Sequence, residues 1–253
     1  CSVCALLGVA IGIRFVKGLS VAMEGPSPEF GAGDQERLQT ALFTSNFSVL
    51  GYLDKVYGRV SEDDIRLARE VIAQMSLSSD LKQTAMRLFT EGKQPGFPLD
   101  GVIDQFRREC HRRTNLMQMF IEIQLHVAYA DGVMHDKERR VLLGICERLG
   151  FTPSQFQQLE AMVQAARHFS SGGYQAQASP ASLLKDAYDV LGVQASSSDD
   201  EIKKAYRRLT NQHHPDKLVA KGLPEEMIKL ATEKTQEIRK AYEIIRDERR
   251  KNK

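Results

Sequence analysis

The chain has 253 residues, 42% hydrophobic and 27% charged, with a formal net charge of +2. That is ordinary globular material with room for two domains, and its near balance argues against wholesale nucleic-acid binding, which needs a basic protein or a concentrated basic stripe. Four cysteines, at positions 1, 4, 110 and 146, are too few and too scattered for a disulfide framework. Cys1 and Cys4 lack a second pair for zinc, so a reducing cytosolic setting fits best.

The chain begins at Cys1 without a methionine and runs uncharged and mostly apolar to Ile13, before Arg14 and Lys17. Thirteen residues make about 20 Å of helix against a hydrocarbon core of ~30 Å. Residues 1–23 are therefore expected to be the remnant of a membrane span, with residues missing before Cys1; a buried helix of a soluble fold is the competing reading of so short a run. Arg14 and Lys17 would set the body on the cytoplasmic side of the membrane. Gly8 and Gly12, spaced as G-x-x-x-G, allow two spanning helices to approach closely, so a homodimer through the span is expected. Residues 24–34, with Gly25, Pro26 and Pro28, read as a linker.

Residues 35–169 carry helical spacing throughout, as in Leu116, Met119, Phe120, Ile123 and Val127, and almost no strand alternation. Gly58, Val60, Glu62 and Asp64 are echoed by Gly132, Met134, Asp136 and Glu138. Each set reads as a helix ending at glycine, a turn, and an acidic first turn of the next helix, the mark of a duplicated helix-turn-helix unit. Thr152, Pro153 and Gln155 mark a further helix start. The segment from Ala130 to Arg139 resembles the TerB-like family of tellurite-resistance helical domains. Asp131, Asp136 and Glu138 are the oxygen ligands a hard cation takes. The first copy has Tyr57 in place of Asp131, and dipole and capping effects suffice to explain acidic residues at helix starts, so no metal and no cofactor is expected.

Residues 170–182 form a polar Gly/Ser/Gln stretch with nothing to bury, expected to be a flexible linker on which the following domain searches its surroundings. In residues 183–253, Ser198 and Glu201 are spaced as a capping box. Ile202, Ala205, Tyr206 and Leu209 then fall on one stripe of a helix, with Lys203, Lys204, Arg207 and Arg208 opposite. Pro215 ends that helix and pushes His214 out of the α conformation into an exposed turn. His213 reads as a helix-terminal cation. Leu223-Pro224-Glu225-Glu226 opens a second helix in which Ile238, Ala241, Tyr242 and Ile245 repeat the apolar spacing. Two antiparallel helices face each other, the turn at one tip, Tyr206 and Tyr242 in the core.

The block from Lys185 to Arg246 resembles the J-domain family, through Tyr188, Leu191 and Gly192, the stretch Ala205 to Leu209, His214-Pro215-Asp216-Lys217, and Ile238 to Tyr242. A His-Pro-Asp tripeptide alone is common in loops, and a run of cations is usually a solvated face; the two flanking helices at this spacing set the present one apart. The resemblance implies docking on a DnaK-type chaperone and stimulation of its ATPase through the basic helix and the turn, the chemistry belonging to the partner. Thr235 departs from the family, many members having a large aromatic there.

The fold expected is all-α: a membrane-span remnant, a TerB-like helical domain and a C-terminal J-domain hairpin. This order resembles the membrane-anchored DnaJ-like proteins of Gram-negative bacteria, which implies a non-enzymatic inner-membrane co-chaperone facing the cytoplasm. Two other functions fit the residues: a signalling or scaffold adaptor whose J-domain binds without stimulating hydrolysis, and a nucleic-acid module using the four cations, whose affinity would fall steeply with salt. The near-neutral net charge stands against the latter. No Ser/His/Asp arrangement, phosphate loop or metal-helix motif suggests an enzyme.

Overall fold

The computed structural model describes residues 32–57, 77–129, 132–170, 180–224 and 227–251. Among them every regular element is a helix, as expected. These are α1 (Ala32–Tyr57), α2 (Ser79–Gly92), α3 (Leu99–Cys110), α4 (Thr114–Ala128), α5 (Asp136–Leu149), α6 (Pro153–Ser170), α7 (Pro180–Leu191), α8 (Asp199–His213), α9 (Pro215–Ala220) and α10 (Ile228–Lys251). Gly8, Gly12, the whole of residues 1–31, the first repeat copy at Gly58 to Asp64, and Asp131 lie outside the described residues. Among the described residues, no helix is long and apolar enough to cross a membrane.

Helix α1 is the axis of the middle domain and packs against α2, α3, α4 and α5. Its stretch from Ser45 to Gly51 is buried on every side, polar residues included. Those polar groups are satisfied locally: Asn46 Nδ2 donates to Leu42 O at 2.9 Å and Ser48 Oγ to Thr44 O at 2.7 Å. Gln124 Nε2 of α4 reaches Asn46 Oδ1 at 3.1 Å, so the polar core of α1 also fixes the register of α4. Around this axis Phe47, Phe106 and Phe120 are almost wholly inaccessible.

The helix starts follow their local chemistry. Thr152 and Gln155 cap α6 reciprocally, Gln155 N donating to Thr152 Oγ1 at 3.2 Å and Thr152 N to Gln155 Oε1 at 2.8 Å. In the second repeat copy, the Glu138 carboxylate accepts from His135 N at 3.0 Å, and Gly132 takes a left-handed φ of 101° in the turn before α5. Glu138 is thus committed to the helix start. Among the described residues no group of three acidic, His or Cys side chains is placed to hold a metal ion.

The C-terminal block does not stand apart from this body. Met162, Ala165 and Ala166 of α6 share one hydrophobic cluster with Ala187, Val190 and Leu191 of α7, Ile202 and Leu209 of α8, and Ile238, Ala241 and Ile245 of α10. In the other direction Leu218, Leu223, Met227 and Ala231 belong to the core of the middle domain. Of the Gly/Ser/Gln stretch expected to be a flexible linker, residues 171–179 lie outside the described residues, Ser170 being the last residue of α6 and Pro180 the first of α7. Apolar surface is thus buried on both sides of the joint between the two blocks.

Candidate functional site

The site is built on α8. Ser198 N donates to Glu201 Oε2 at 2.7 Å and Glu201 N to Ser198 Oγ at 3.3 Å, the reciprocal cap expected. The Ser198 backbone and hydroxyl hydrogen bonds hold the Glu201 carboxyl below its usual value. Ile202, Ala205 and Leu209 are buried, and Lys203, Lys204, Arg207 and Arg208 are all exposed. Tyr206, half-buried, stacks on Tyr242 of α10 with ring centroids 4.3 Å apart, which sets the rotation of α8 and points the four cations into solvent.

The helix ends where proline dictates. His214 is extended (φ −61°, ψ 124°) and Pro215 opens α9, so the chain leaves α8 at His214 as expected and at once re-enters a short helix. Leu218 N donates to His214 O at 3.0 Å, a first-turn bond that fixes the tripeptide. His214 Nδ1 lies 3.9 Å from Asp216 Oδ2, and the Asp216 side chain is 90% exposed. Lys217 Nζ bonds Asn211 Oδ1 across the turn. The structure thus places Lys203, Lys204, Arg207, Arg208, His214, Pro215 and Asp216 along one helix and its tip, both open to solvent.

Thr235 joins α10 to the end of α8. Its hydroxyl lies 3.0 Å from His213 O and 2.9 Å from Ala231 O, tying α10 to the last carbonyl before the turn. His213 is not the helix-terminal cation expected. It is 4% exposed, and burial pushes its pKa below the usual imidazole value against the opposing pull of Glu122. Its Nε2 lies 3.6 Å from Glu122 Oε1 of α4, and Lys234 Nζ of α10 lies 3.8 Å from Glu122 Oε2. Burial pushes the Glu122 carboxyl up, yet His213, Lys234 and the Gln118 amide together hold it below its usual value. Sequence reasoning passed over Glu122, although one signal existed: a carboxylate between the apolar positions Met119, Phe120, Ile123 and Val127 of one helix face.

The two cysteines described, Cys110 and Cys146, are free thiols in the core. Burial pushes each up to about 12, so neither is a nucleophile at neutral pH.

Comparison with known proteins assigns both halves. Residues 186–253 match the DnaJ domain model and residues 47–161 the model of the tellurite resistance protein TerB. No solved structure matches the chain. The co-chaperone protein DjlA of Coxiella burnetii is 47% identical over 211 residues, which is 83% of this chain and 78% of that protein. That of Photorhabdus laumondii is 43% identical over 251 residues, 96% of this chain and 91% of the relative, and that of Yersinia pestis is 42% identical over 97% and 91%. With identity at this level running through both domains, the chain belongs to the DjlA family of DnaJ-like co-chaperones.

Proposed function

We propose that this co-chaperone docks on a DnaK-type chaperone through Lys203, Lys204, Arg207, Arg208 and the His214-Pro215-Asp216 turn, and stimulates ATP hydrolysis by that partner. The observation that carries the reading is the continuity of four exposed cations with a proline-fixed turn at the end of the same helix. A ridge of one sign steers an acidic surface into register, while the turn supplies the directional contact. The chemistry stays with the partner, so the protein is a regulator and carries no reaction of its own.

The body stands on the cytoplasmic face of a bacterial inner membrane. Residues 1–23 anchor it, and Gly8 and Gly12 pair two copies. The uncharged run before Arg14 and Lys17 supports this part of the reading. Crosslinking in membranes should give a dimer band that Gly8→Leu with Gly12→Leu removes.

The decisive measurement is single-turnover ATPase of DnaK with the whole chain. Stimulation should be lost in His214→Gln while the helical circular dichroism is kept. Stimulation that survives this substitution rules out docking through the turn; binding without stimulation by the unsubstituted chain makes it an adaptor.

A further inference from the structure

One end of the middle domain gathers cations that neither its core nor the chaperone reading uses. Residues 107–113 hold four arginines against one glutamate, at the close of α3 and in the turn leading into α4. Arg107, Arg108, His111 and Arg112 are exposed and Arg113 is half-buried. His111 has a φ of 47°, a left-handed value that glycine takes at less cost, so the chain reverses here through a strained residue.

Most carboxylates of this end are engaged by other cations. Arg148 of α5 grips Asp104, Nε to Oδ1 at 2.7 Å and Nη2 to Oδ2 at 2.9 Å, and lies 3.3 Å from Asp100. Arg37 of α1 pairs with Asp34 and lies 3.7 Å from Glu109. Arg107 donates to Arg148 O at 2.7 Å, so it serves the C-terminus of α5. Arg108 and Arg112 are different. Among the described residues neither guanidinium makes an ion pair or a hydrogen bond, and Arg108 feels only the field of Asp104, which Arg148 already holds. Glu147, exposed on the last turn of α5, offsets one of these charges at most.

The Arg37–Glu109 pair also locates the patch. Arg37 belongs to the second turn of α1, so the basic turn stands beside the start of that helix, where residues 1–31 join it. We propose that the turn between α3 and α4, through Arg108 and Arg112, docks on anionic phospholipid headgroups of the membrane that residues 1–23 enter. This rests on the membrane reading above for the source of the anion. Residues 24–31 reach at most about 28 Å, which keeps this end of the domain at high effective concentration over the leaflet. The planar guanidinium fork matches phosphate oxygens, and clustered cations next to a span are drawn to an anionic leaflet. Nucleic acid is the other polyanion such a turn could meet; the start of α1 beside it favours lipid.

Partition of the whole chain into vesicles tests the dock. The lipid concentration giving half-binding is measured for phosphatidylcholine alone and for phosphatidylcholine with one-third phosphatidylglycerol, at physiological salt. The wild type should bind the anionic vesicles about tenfold tighter or more, and high salt should remove the gain. Arg108→Glu with Arg112→Glu should lose it while keeping helical circular dichroism and binding to phosphatidylcholine. Arg207→Glu with Arg208→Glu, on the J-domain ridge, should keep it. Should the first variant not fold, Arg108→Gln with Arg112→Gln decides, and should lose most of the gain.

A gain that survives in the folded Arg108 and Arg112 variant overturns the proposal, as does a gain lost equally in the ridge variant. Equal binding of the wild type to both vesicles also overturns it and leaves the anchor standing. A gain with no binding to phosphatidylcholine keeps the dock and removes the anchor. A gel shift of duplex DNA that the first variant abolishes, with no anionic gain on vesicles, assigns the surface to nucleic acid instead.

Discussion

Gly51 of α1 and Gly92 of α2 sit at the closest approach of two helices, each against the backbone of the other. A Cβ on Gly51 would fall on the carbonyl of Phe89, and one on Gly92 on the carbonyl of Ser48. Neither obstacle is a flexible side chain, so the two main chains would have to separate.

Gly→Ala in a helix ordinarily gains about 1 kcal/mol of propensity, whereas overpacking a tight core costs about 1–3 kcal/mol and sometimes more. With backbone as the obstacle, the second effect wins. Gly51→Ala and Gly92→Ala should each lower stability by about 2 kcal/mol in chemical denaturation, with the J-domain fold unaffected. Gly101 and Gly144, where an added Cβ meets nothing within 4 Å, are the controls, and alanine there should be neutral or stabilising.

Arg249 closes the J-domain. Its guanidinium bonds Tyr188 Oη at 3.1 Å, Asp199 Oδ1 at 2.8 Å, Ala195 O at 2.9 Å and Ser197 O at 2.7 Å, so one side chain holds the end of α10 on the loop entering α8. The Asp199 pair is half-exposed and adds little by itself; the two carbonyls need the planar fork. Arg249→Ala should cost about 1–2 kcal/mol. Arg249→Lys should recover less than half of it, since an ammonium cannot bridge all four acceptors. Thermal unfolding of the three proteins checks the order.

The parts legible in the sequence are those whose causes are local. Ser198 with Glu201, the stripe of Ile202, Ala205 and Leu209, and Pro215 each act within a turn or two, and α8 begins and ends where they dictate. Glu122 and His213, or Gly51 and Gly92, are joined by tertiary packing across long stretches of chain, and no periodicity marks such pairs. Polar composition between two helical blocks says nothing of whether Met162 and Leu218 will be buried in the neighbouring core.

Glu160 anchors α6 to α5. Arg139 grips it in bidentate fashion, Nε to Oε1 at 3.0 Å and Nη2 to Oε2 at 2.8 Å, and Tyr129 Oη donates to Oε1 at 2.8 Å. Burial pushes the carboxyl up, but the Arg139 and Tyr129 hydrogen bonds prevail and hold it below the usual value. A depressed carboxylate contributes stability that is full above its unfolded pKa of about 4.3 and is lost as pH falls through the folded value. Glu160→Gln should therefore be less stable than wild type at neutral pH, and the gap should close in denaturation experiments carried down through that window. A gap independent of pH would show that packing, not charge, sets the worth of this residue.

Among the described residues the four ridge cations make no ion pair; the pairs of this region involve other side chains, such as Arg239 with Glu243 and Arg249 with Asp199. Reversing Arg207 and Arg208 together to Glu should leave the melting temperature nearly unchanged, because exposed substitutions lie within about 0.5 kcal/mol. On the docking model the same change meets an acidic partner with like charge. The DnaK concentration giving half-maximal stimulation should then rise by about tenfold or more, and the salt dependence of association should flatten. His214→Gln should behave differently, lowering the maximal stimulation itself, since the turn makes a directional contact where the ridge supplies steering. If both variants shift only the half-maximal concentration, the turn is one more piece of binding surface, and the division of labour between ridge and tip fails.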